Sequence, residues 1–155
     1  MSQLTIAPHF VVVREPPPDR NIIRMACLAV RRQLPAWYLV HPRDHRPLRA
    51  VEAAEAWAAD PTPEREQECY EQAAPSWDAG RWEPVEVAAY VAGAAHALVA
   101  AIYSHPIHVA CAVDDARLAA GVVSVNEGGS EATGRADESA AQQADLVRLL
   151  KGKAH

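Results

Sequence analysis

Residues 85–103 read VEVAAYVAGAAHALVAAIY, nineteen positions carrying one carboxylate, Glu86, and one histidine, His96. At 1.5 Å per residue this stretch makes roughly 28 Å of helix, and its wealth of alanine favours that state. A helix without a polar face must be covered on several sides, so it is the expected centre of a bundle. Gly93 with Ala89 and Ala97 forms a small-residue stripe that admits a close neighbour.

Reading outward from this helix gives its partners. Towards the N-terminus, Pro75, Gly80 and Pro84 mark an expected loop carrying Trp77 and Trp82. Before it, Asp60-Pro61-Thr62-Pro63 stops one helix and starts another, with Thr62 as N-cap and Pro63 at the first helical position. Glu64, Glu66 and Glu68 then fall where the helix dipole favours carboxylates. A helix from an Asp44 cap to about Ala59 sets Ala50, Ala54 and Trp57 on one face. An earlier one, capped by Asp19, buries Ile23, Cys27, Val30 and Leu34 and runs to about Leu34, where Pro35 ends or kinks it.

Towards the C-terminus, Ser104-His105-Pro106 breaks the central helix and opens another to about Ala120, with Pro106 at its first position. Gly128 to about Gly134 reads as a flexible loop. A last helix spans about Ala136 to Lys151, with Ala141, Leu146 and Leu149 inward. At the other end of the chain, HFVVV (9–13) is a short strand without an obvious partner, and Pro16-Pro17-Pro18 stiffens the chain as polyproline II. The expectation is a single all-α domain, a bundle of about six or seven helices over residues 19–151. An extended arm (1–18) precedes it and a short tail (152–155) ends the chain.

Composition agrees. The chain has 155 residues, 50% hydrophobic and 23% charged, with 32 alanines against one Phe. That excludes a wholly disordered chain and fits all-β poorly. Apolar runs are broken within about a dozen positions, short of the roughly 20 that span a membrane, and no signal peptide is evident. Cys27, Cys69 and Cys111 are odd in number and widely spaced, which reads as reduced, mostly buried thiols and a cytoplasmic protein. Thirteen Arg against two Lys, with the alanine excess, suggest a GC-rich bacterial genome.

The net charge of -5 is unevenly placed. Residues 1–50 carry eight Arg against three carboxylates, whereas residues 51–90 carry ten carboxylates against Arg65 and Arg81. Such a balance argues against a nucleic-acid binder. The acidic stretch reads either as a solvated helix face that keeps the protein soluble, the favoured reading for any one residue, or as a surface that steers a basic partner. Trp77 and Trp82, bordered by Asp78, Glu83 and Glu86, either anchor a partner or cap the core.

Constellations of catalytic type are few. His105, His108 and Cys111 are spaced three apart, with His96 nearby in sequence, and imidazole with thiolate suits zinc. A buried histidine bonded to a backbone carbonyl beside a buried thiol accounts for the same residues and is the favoured reading. Asp114-Asp115 reads as solvent-facing rather than as a cation site. Ser104 beside His105 lacks a supporting carboxylate, and Gly128-Gly129 lacks the Lys of a phosphate loop. The residues imply no catalytic set and no cofactor.

The segment Asp44-x-Arg46-Pro47-x-x-Ala50-Val51-Glu52-x-x-x-x-Trp57 resembles a D-x-R-P-x-x-A-[IV]-E-x-x-x-x-W pattern. That pattern belongs to a small Ala-rich family of predicted immunity proteins from bacterial polymorphic toxin systems. Ala94-Ala95-His96 with Tyr103, and Glu138, Gln142-Gln143 and Leu149-Leu150, are similar to its later segments, so the likeness spans about residues 20–150. The Trp-bearing stretch from Pro75 to Pro84 and the N-terminal HFVVVREPPP depart from the family.

The resemblance implies an all-α, non-enzymatic protein that binds and neutralises a cognate toxin. With the acidic stretch, it makes Glu64, Glu68, Glu71, Asp78 and Trp82 the expected contact surface for a basic protein toxin. Two alternatives stand beside this. One is a metal or small-ligand protein using His96, His105, His108 and Cys111. The other is a self-associating protein pairing through the 85–103 helix.

Overall fold

The computed structural model describes residues 4–7, 10–13 and 18–152, with side chains from Pro18 to Gly152. Residues Leu4–Ala7 (β1) and Phe10–Val13 (β2) form an antiparallel pair in which Leu4 faces Val13 and Ala7 faces Phe10. The 9–13 strand therefore has a partner, which corrects the expectation of a lone strand. Four nearby residues of adequate β-propensity suffice to make that ladder. The polyproline reading falls largely on residues 16–17, outside the described residues, as do residues 153–155 of the tail.

Among the described residues there are seven helices: α1 (Arg20–Val40), α2 (Arg46–Ala59), α3 (Pro63–Glu71), α4 (Ala73–Arg81), α5 (Glu86–Tyr103), α6 (His108–Asn126) and α7 (Glu131–Gly152). The domain is all-α. Asp19 caps α1, its carboxylate accepting from Asn21 N at 2.8 Å. Pro35 does not end the helix near Leu34: α1 runs through it to Val40. It lies on the exposed face, where water can reach the carbonyl it leaves unpaired. Beyond it Trp37 is fully buried and donates its indole N–H to the Asp44 carbonyl at 2.8 Å, which holds the last turn in place.

Two buried clusters make the core. Ile23, Cys27, Val30, Val51, Trp57 and Leu98 belong to one, and Leu34, Trp37, Val87, Val91 and Ala119 to the other. Helix α5 contributes to both and packs against α1, α2, α3, α4 and α6, as its lack of a polar face requires. Among the described residues it is the one helix long and apolar enough to cross a membrane, yet 67% of that window is buried inside the fold. Its small-residue stripe is used within the chain: a Cβ on Gly93 would stand 3.0 Å from an Asp115 carboxylate oxygen of α6.

Three boundaries differ from the sequence reading. Pro106 does not open α6; it sits in a turn whose His105 Nδ1 accepts from Ile107 N at 3.1 Å, and the helix continues past Ala120 to Asn126. Val122 and Val123 pack on the core there, so burial extends the helix. The expected loop reaching Gly134 stops at Ser130, whose hydroxyl accepts from Thr133 N at 3.1 Å and starts α7 five residues early. Within α7 the buried positions are Gly134, Glu138 and Gln142, while Ala141, Leu146 and Leu149 are half-buried.

Candidate functional site

The residues expected to meet a partner lie on α3, on α4 and at the cap between α4 and α5. Thr62 caps α3, its hydroxyl accepting from Arg65 N at 3.2 Å, and Pro63 occupies the first helical position. Glu64, Glu68 and Glu71 are exposed, at the spacing of one helical face. Arg65 bonds Glu68 at 3.2 Å across one turn. Four carboxylates held near one guanidinium leave this short helix strongly negative.

The stretch around Pro75 is helix, not the expected loop. Pro75 stands in the first turn of α4, where a missing N–H costs no intrahelical bond. Ser76, fully buried, donates its hydroxyl to the Gln72 carbonyl at 2.6 Å and steadies the α3–α4 junction. Gly80 lets α4 approach α5, since a Cβ there would lie 3.1 Å from that of Ala92. Trp77 therefore rides on a helix, and Trp82 is the residue that ends it.

Both tryptophans face outward, Trp77 54% and Trp82 80% exposed, so neither caps the core. Over Trp82 lies the guanidinium of Arg81, 5.0 Å from the ring centre. Trp77 meets the His96 ring of α5 at 5.3 Å. His96 Nδ1–H donates to the Ala73 carbonyl at 3.1 Å, the arrangement favoured for a structural histidine, and burial holds its pKa below the ordinary value. Seven positions earlier, Tyr70 of α3 is 59% exposed and meets Tyr103 of α5 edge-on at 5.4 Å. Asp78 is exposed, in the field of Arg46.

The histidine and cysteine cluster does not assemble as a ligand set. His105 is exposed in the turn before α6, His108 is its half-buried first residue, and Cys111 is exposed, contrary to the expectation of a buried thiol. Among the described residues no three His, Cys, Asp or Glu side chains converge to hold a metal. Asp114 bonds Arg117 at 2.8 Å, whereas Asp115 turns inward against Gly93. Burial, with Asp114 alongside, pushes the Asp115 carboxyl up to about 6.

The Asp44–Trp57 motif builds the α1–α2 corner. The Asp44 carboxylate accepts from Arg46 N at 3.1 Å and from its guanidinium at 2.7 Å, and that guanidinium holds it below the usual carboxylate range. The residue at the cap itself is His45. Pro47 and Trp57 are buried. The ion pair across this corner belongs to Glu55, which Arg31 grips at 2.6 and 2.7 Å; Glu52 is exposed. The motif thus carries packing and orientation.

Two further clasps escape sequence reading. His41 of the α1–α2 turn bonds Glu83 of the α4–α5 turn, and Glu83 also accepts from Val85 N at 3.1 Å. Arg32 of α1 bonds Glu138 and Asp145 of α7. Alternating charge along the helices signals them weakly; the partners stand 42 and 106 positions apart. Comparison with protein-family models, with curated proteins and with solved structures returns no match.

Proposed function

We propose that this chain is a non-enzymatic binding protein of immunity type, which neutralises a cognate toxin by covering its surface with a rigid helical face. The observation that carries the reading is the common exposure of Glu64, Glu68, Glu71, Asp78 and Trp82 on α3, α4 and the α4 cap. Their charge favours a basic protein over nucleic acid or an anionic membrane, and raises the rate of encounter through its field. The fold backs this face with α5, so it meets a partner without reorganising. On this reading the protein works in the cytoplasm and needs no cofactor.

Capture of the tagged protein in its own host, read by mass spectrometry, is expected to recover one toxin-domain protein. The triple variant E64K/E68K/E71K is then expected to associate with that protein about tenfold more slowly at low ionic strength, the difference fading in high salt. An unchanged association rate at low salt overturns the steering role.

A further inference from the structure

We propose that the two aromatic pairs on the α3–α4/α5 face, Tyr70 with Tyr103 and Trp77 with His96, anchor an arginine-bearing segment of the protein partner. This rests on the binding-protein reading above and names the anchor, which charge alone does not provide. Tyr70 and Trp77 are seven positions apart on α3 and α4, as are His96 and Tyr103 on α5, so the pairs form two rungs roughly 10 Å apart along α5. Of the four tryptophans, Trp37 and Trp57 are core residues, whereas Trp77 keeps more than half its surface in water. Paired, immobilised rings exposed in this way offer contact area at little cost in conformational freedom.

Charge selects the occupant. Residues 63–80 hold five carboxylates and one cation, Arg65, which is bonded to Glu68. A guanidinium stacks on aromatic faces and pairs with carboxylates in one geometry, which an ammonium does less well. The molecule makes this contact itself where Arg81 lies over Trp82. Among the described residues no cation lies over Trp77 or Tyr70, so those rings, rather than Trp82, are open to a guanidinium from outside. In a polyproline II segment, residues three apart lie on one side about 9 Å from each other, which matches the spacing of the rungs.

The probe is the capped peptide PPRPPRPP, titrated into the whole protein at low salt while the indole N–H signals are followed by NMR. Selective movement of the Trp77 signal is expected, with citrulline in place of both arginines abolishing it. W77L and Y70L, at exposed positions, are each expected to weaken binding about threefold; their melting curves report that the fold is intact. Absence of peptide binding, or an affinity in W77L and Y70L unchanged from the wild type, overturns the anchor. The partner separates the two ideas: if E64K/E68K/E71K leaves its association rate at low salt unchanged while W77L weakens the binding of both peptide and partner, the anchor stands and the steering reading falls.

Discussion

The guanidinium of Arg32 on α1 bonds both carboxylate oxygens of Glu138 on α7, each at 3.0 Å, and reaches Asp145 further along the same helix. Glu138 is buried, and burial keeps its pKa above the ordinary value even against the pull of Arg32. Gln33 adds an amide contact at 3.4 Å. A polar clasp therefore joins the last helix to the first, where leucine packing is expected from the sequence.

Removing one partner of that clasp leaves a buried carboxylate unpaired. R32A is expected to lose about 3 kcal/mol in urea unfolding at pH 7. The loss shrinks as pH falls, because burial raises the Glu138 pKa and a protonated Glu138 no longer needs a cation. Combining R32A with E138L is expected to recover most of the stability, since the unpaired charge is gone.

The α6–α7 crossing depends on Gly134. A Cβ there would stand 2.3 Å from the Ala120 carbonyl oxygen and 2.7 Å from the Ser124 side chain. G134A must push the helices apart, and is expected to cost about 2–3 kcal/mol despite the better helix propensity of alanine. G152A, whose added Cβ meets nothing among the described residues, is the control and is expected to be neutral.

Asp115 is ionised at neutral pH against its environment. Its folded pKa, about 6, lies above the ordinary aspartate value, so the folded state holds its proton more tightly than the unfolded state does. That contribution is present below about pH 4 and is lost as pH rises through 6. D115N is therefore expected to raise the melting temperature at pH 7.5 and to do so far less at pH 4. Thermal scans of both proteins at the two pH values check the sign.

Thiol accessibility tracks the burial pattern. Cys111 is exposed on α6, while burial pushes the Cys27 thiol far up and that of Cys69 up to about 12. A maleimide reagent is expected to label one cysteine of the native protein within minutes and all three after denaturation. Native labelling of C111A would contradict this arrangement.

Helix content, the central place of α5 and the buried stripe of α1 are readable from local pattern. Their causes are local too: alanine propensity, capping by Asp19 and Thr62, and apolar residues recurring every turn. Prolines mislead in that reading. Pro35, Pro75 and Pro106 each suggest a boundary, but burial of Trp37 outweighs the single hydrogen bond lost at Pro35, and Pro75 falls in a first turn where none is at stake. The acidic residues of α3 are readable as a surface because carboxylates rarely sit inside.

The aromatic pairs of the candidate site are another matter. Tyr70 and Tyr103, or Trp77 and His96, meet only because α3 and α4 lie along α5. Likewise Arg32 finds Glu138 across the bundle, and Asp115 turns into the α5–α6 seam while its neighbour Asp114 stays in water. Periodicity says which side of a helix is buried, since that is fixed by 3.6 residues per turn. It does not say which helix lies opposite, because that is settled by how closely whole surfaces of small residues can pack, and this packing is what brings distant polar and aromatic groups together.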